Sequence, residues 1–144
     1  MEGNRLQELM KCTEVQYAEG CPLLLMACAL YLDRSSGNCI AQLKWKNLSN
    51  KIIKAVSIAL DVFDSFDNTI SNISHHYRNI DAGTKNTFGE KEAILIENEK
   101  ANSFKARIEA ISFDDGSIYR SEQKQYFEPL PDAQELPFTG EMLD

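Results

Sequence analysis

The residues able to do chemistry in this chain are few and scattered. His75 and His76 are the only histidines among 144 residues. Histidine titrates near neutral pH and is the commonest metal ligand, but neighbours on an extended strand point to opposite faces and do not share an ion. Asp61, Asp64, Asp67 and Asn68 gather oxygen donors near a strand end, and Asp114 and Asp115 do so at a second turn. A calcium ion needs about six to eight oxygens around one point, and no D-x-D-x-D-G run is present. These carboxylates therefore read as turn caps, with a ligand-binding or calcium-binding accessory role for the acidic loops as the alternative. Cys12, Cys21, Cys28 and Cys39 are separated by 8, 6 and 10 residues. Such gaps suit neither a close zinc-ligand pair nor a disulfide framework stapling distant parts of a domain. They read as free, mostly buried thiols, with Cys28 and Cys39 able to face one another if a hairpin joins their strands. Without a G-x-S-x-G elbow, a phosphate loop or a G-x-G-x-x-G run, the chain is expected to be non-enzymatic and to use no metal or cofactor.

Recognition of another protein is the remaining chemistry, and it falls on aromatic and apolar residues in irregular segments. Phe66 stands between Asp64 and Asp67 in a turn, where an aromatic ring is either a plug on the sandwich end or an exposed anchor for a partner. Phe127, Leu130 and Phe138 recur along a segment that holds three of the four prolines. Proline removes a backbone donor and favours extended conformation. The expectation is that the first part of this tail docks on the body and the last part is either disordered or bound by a partner.

The elements that position these residues follow from periodicity. Ala41 to Lys46 and Val56 to Val62 alternate apolar and polar residues, which describes strands with one covered and one wetter face. Strands are expected at 23–32, 38–48, 52–64, 69–77, 92–97, 104–113 and 117–123. Phe104, Ala106, Ile108 and Ala110 share one parity while Ile111 and Phe113 share the other, so a β-bulge is expected near Ala110. Asp114-Asp115-Gly116 is the turn of that hairpin. Leu6, Leu9, Met10 and Thr13 recur at helical spacing, which predicts a short docked helix over 4–13. The division is a helical segment over 1–20, an all-β immunoglobulin-like antiparallel β-sandwich of about seven strands over 21–123, and an acidic tail over 124–144.

Charge narrows the partners. Residues 1–125 carry all 15 Lys and Arg with 17 of the 22 acids, while five acids lie in 126–144. A nearly balanced body without a basic stripe argues against nucleic acid. No stretch approaches the roughly 20 apolar residues of a membrane span. The first residues lack the basic and apolar regions of a secretory signal, so the expected location is cytoplasmic. The expected partner is a protein, or a second copy of the chain.

Several stretches together carry a family resemblance: Cys21-Pro22, Ala27, Ala29-Leu30, Ala41-Gln42-Leu43-Lys44, Asn47, Ser49, Lys51-Ile52-Ile53-Lys54-Ala55-Val56 and Phe113-Asp114-Asp115-Gly116-Ser117. They resemble uncharacterised bacterial proteins, chiefly from Firmicutes, that carry an FxLYD-like or related immunoglobulin-like β-sandwich, often ahead of a C-terminal zinc ribbon. The resemblance covers roughly residues 20–122 and implies the fold alone, because its motifs are strand and turn signatures. It departs from the family pattern in that no C-x2-C pair follows residue 122.

Overall fold

The computed structural model describes residues 5–121 and 125–129, which form two antiparallel sheets around one shared core. In chain order the strands are β1 (Leu6–Cys12), β2 (Gln16–Tyr17), β3 (Leu23–Asp33), β4 (Cys39–Asn47), β5 (Ile53–Phe63), β6 (Thr69–Tyr77), β7 (Thr87–Phe88), β8 (Ile94–Ile96), β9 (Ser103–Phe113), β10 (Ile118–Arg120) and β11 (Glu128–Pro129).

The first sheet is built on the β3/β4 hairpin. Its register sets Leu25 against Trp45 and Leu30 against Ala41. The outer edge of β3 is shared by two short strands, β2 beside Leu24 and Leu25 and β1 beside Cys28 to Asp33. The outer edge of β4 is shared likewise by β7 and β8, and β11 pairs with β2. The second sheet runs β10-β9-β5-β6. The sheets meet through the inward sets of the alternating strands, including Leu23, Leu25 and Leu30 of β3, Leu43 and Trp45 of β4, Val56, Ile58, Leu60 and Val62 of β5, and Ile108 and Ile111 of β9. Burying such side chains is the main stabilising term of the fold.

The parity change in β9 is a bulge, since Ser57 opposes Ala110 while its neighbour Ile58 opposes Ile108, leaving Glu109 as the extra residue. The insertion turns Ile111 and Phe113 back to the core. The expected N-terminal helix is corrected by a bulge of the same kind. Residues 6–12 form β1, and Glu8 opposes Tyr31 while Met10 opposes Leu30, so Leu9 is unpaired. One inserted residue changes a period of two into spacings of three and four, which imitate a helix in the sequence. Leu9, Met10 and Cys12 pack against the core from this strand. The Cys28–Cys39 juxtaposition is likewise corrected, because the hairpin register sets Cys28 against Leu43 and Cys39 against Leu32.

Two buried polar groups lie close together at the end of β4. The Trp45 indole donates to the Tyr77 hydroxyl at 3.1 Å, joining β4 of one sheet to β6 of the other. Gly89, at φ +91, passes over this pair; a Cβ there would stand 3.0 Å from the Leu43 carbonyl oxygen and 3.1 Å from both rings. Two residues further along β4, Asn47, fully buried, donates to the carbonyls of Lys51 (2.7 Å) and Ala82 (3.0 Å). Its oxygen accepts from the Ser49 N–H (2.8 Å) and hydroxyl (2.6 Å). One side chain thus satisfies the buried Ser49 N–H and adds a donor to two loop carbonyls.

Candidate functional site

The acidic loops are organised by their own carboxylates. Asp64 accepts from the backbone N–H of Phe66 and of Asn68, both at 2.9 Å, and from the Asn68 amide at 3.3 Å. These bonds, led by the one from the Asn68 N–H, hold its carboxyl below the usual range. Asp115 accepts from the Ser117 hydroxyl and N–H and lies 3.2 Å from the Lys51 ammonium. The Ser117 hydroxyl is the largest influence that lowers its pKa to about 2. Asp61 is not in the loop at all. It is buried on the outward side of β5, where the Asn72 amide, the Tyr126 hydroxyl and the Arg107 guanidinium converge on its carboxylate. Among the described residues no three His, Cys, Asp or Glu side chains come together.

The two histidines diverge as strand geometry requires. His75 Nε2 sits 2.9 Å from a Glu92 oxygen with its ring edge-on to Tyr77, and His76 lines a shallow cleft on the outward side of the second sheet with Ser57, Ala110 and Arg120.

Of the described residues expected to meet a partner, Phe66 is exposed and Phe127 is not. Phe66 is 85% exposed at the tip of the β5/β6 turn. Phe127, named as a partner contact but in the part of the tail expected to dock on the body, is 2% exposed, with its ring edge-on to Trp45 at 5.0 Å. Its backbone N–H donates to the Ala106 carbonyl at 2.8 Å, and Tyr126 lies under the Lys105 ammonium. Residues 125–129 thereby cross from the edge of β9 to the edge of β2. Docking of this first part agrees with the expectation from the sequence, while the strands it would bridge were not legible there, because an extended segment has no period of its own. Leu130 and Phe138 lie outside the described residues.

The feature that sequence reading missed is a sheet edge. Unpaired strand edges are templates for further pairing, and proteins blunt them with charge, proline, bulges or brevity. Among the described residues every other outermost strand is blunted. β1 carries Glu8, Lys11 and its bulge; β2, β7 and β11 are two residues long, the last containing Pro129; β8 and β10 are three residues long. β6 is the exception. It is nine residues, Thr69-Ile-Ser-Asn-Ile-Ser-His-His-Tyr77, with no Lys, Arg, Asp, Glu or Pro. Its register with β5 is unbroken from Tyr77 to Ser71, shifting only beside Thr69. Among the described residues no strand pairs with its outer side. Phe66 stands three residues before its start, so the exposed ring and the open edge are continuous along the chain. Compared with known proteins, the chain matches no family model, no curated protein and no solved structure.

Proposed function

We propose that the chain is a non-enzymatic protein-interaction module with an immunoglobulin-like sandwich of the FxLYD-related kind, which takes an extended segment of a partner protein onto β6 by strand addition. The carrying observation is that β6, among the described residues, is the one long outermost strand without charge or proline, and its register with β5 is unbroken over residues 71–77. Main-chain hydrogen bonds supply affinity in this mode, and side chains flanking the edge supply selectivity. Phe66 is the anchor at one end, since an exposed aromatic beside a backbone template combines apolar contact with low entropy cost. A cytoplasmic setting suits four cysteines that are unpaired in the structure. The acidic-loop alternative is weaker because Asp64 and Asp115 already spend their oxygens on backbone and hydroxyl donors.

The test is selection of linear peptides from a displayed library against the full chain, followed by amide hydrogen exchange of the complex. Selected peptides are expected to slow exchange within residues 69–77 by tenfold or more and to lose binding to a Ser74→Lys variant, which places a charge on the exposed side of the edge. Peptides that protect other strands while leaving 69–77 unchanged refute the reading. A stable dimer of the unliganded chain, protected over the same residues, would replace the foreign segment with a second copy.

A further inference from the structure

A second feature is independent of the β6 edge. Cys12 and Cys28 are direct register partners across β1 and β3. Both side chains belong to the core side of the first sheet. The Gln16 amide, arriving on β2, stands 3.3 Å from the Cys12 sulfur and 4.0 Å from the Cys28 sulfur, so one small group is in contact with both thiols. The two differ in access. Cys28 is buried, and burial is the leading cause that pushes its thiol up to about 12, with Cys12 beside it contributing in the same sense. Cys12 is partly exposed at the sheet edge, its sulfur 3.6 Å from the Glu14 carbonyl oxygen. The other two cysteines are elsewhere: Cys39 bonds the Asn98 carbonyl, and Cys21 lies beside Tyr119.

We propose that Cys12 and Cys28 are a reversible dithiol–disulfide pair that fastens the edge strand β1 to β3, with a low-molecular-weight disulfide such as oxidised glutathione as the oxidant. The Cys12 thiolate attacks one glutathione sulfur, breaking its S–S bond and releasing one glutathione thiol. Cys28 then loses its proton and attacks the Cys12 sulfur of the mixed disulfide, forming the Cys12–Cys28 bond and releasing the second glutathione thiol. Two cysteines are oxidised and one disulfide of glutathione is reduced to two thiols. Burial of Cys28 makes the second step the slow one, because the thiolate is the nucleophile. The pair sits where β1 hands the edge of β3 over to β2, so the bond pins the junction of two short strands that share one neighbour.

The full chain, reduced and then incubated with oxidised glutathione at neutral pH, is expected to lose the mass of two hydrogen atoms. Non-reducing digestion should yield one linked peptide containing Cys12 and Cys28, with Cys21 and Cys39 alkylated after unfolding. Closing residues 13–27 into a loop should raise the Tm by roughly 10 °C, reversed by dithiothreitol. A Cys28→Ser variant should stop at a glutathione adduct on Cys12 with no such rise; should that variant not fold, Cys12→Ser on the exposed side should resist modification altogether. A persistent glutathione adduct on the natural sequence, a bond between any other pair of cysteines, or full alkylation of both thiols after exposure to the oxidant would overturn the proposal.

Discussion

Substituting Phe127 by alanine separates two roles that the sequence leaves equivalent, an anchor for a partner and a piece of this molecule's own core. The ring is 2% exposed and meets Trp45 edge-on. Withdrawing a buried phenylalanine from water contributes about 1.5–3 kcal/mol by itself. Adding the cavity that the surroundings do not refill brings the loss to about 3–5 kcal/mol, and the edge-on aromatic contact belongs to that upper range at about 0.5–1.5 kcal/mol. The expected total is about 4 kcal/mol, a large part of the ~5–15 kcal/mol that holds a domain together. Urea titration followed by far-ultraviolet circular dichroism should show the midpoint falling by roughly 2 M at an m-value of about 2 kcal/mol/M. A loss under about 1 kcal/mol would refute the assignment and return Phe127 to the surface. A chain cut at residue 123 should be weakened more than the single variant, since it also removes the Tyr126 hydroxyl from the buried Asp61 carboxylate. Such a truncation is therefore a stability experiment before it is a binding experiment.

Two further effects are accessible by equilibrium unfolding. Asn47→Ala should cost about 3 kcal/mol, because it orphans the buried Ser49 N–H and removes donors from two carbonyls that each retain one other partner; a loss within the ~0.5 kcal/mol of an ordinary surface change would contradict it. Asp115, with its folded pKa lowered to about 2, supports the folded state above the unfolded carboxylate value of about 4 and ceases to do so as pH falls toward 2. Asp115→Asn should flatten that part of the stability–pH curve, and an unchanged acid limb measured by thermal melts would show that the Ser117 and Lys51 contacts carry no linkage.

Much of the architecture was legible where burial enforces alternation. Thr69–Tyr77 and Leu23–Asp33 are found close to their expected spans because turn residues bracket them. The bulge at Glu109 was legible because apolar residues flank it on both sides and record the change of parity. The bulge at Leu9 was not, since β1 is half exposed and too few of its positions are dictated by the core. Immunoglobulin-like seven-strand counting also missed β1, β2, β7 and β11, which are short or bulged and have no period of their own. The site lay further from reach. That β6 is uncharged is plain in the sequence, but that no described strand pairs with its outer side is a property of the sheet order. The Cys12–Cys28 pairing likewise depends on a register between strands that are not consecutive, and no local pattern encodes it.

The chain's one tryptophan lies where three parts of the fold meet. Trp45 belongs to the first sheet, hydrogen-bonds Tyr77 of the second and touches Phe127 of the segment that closes the side. Its fluorescence is therefore a built-in gauge with distinguishable readings. Release of the segment alone would remove a quenching-neutral ring and admit water to one edge of the indole, giving a small red shift while circular dichroism holds steady. Separation of the sheets would break the bond to Tyr77 and move the emission fully to that of a solvated indole. A denaturation curve read in both signals thus shows whether the closing segment leaves before the sheets part or only with them.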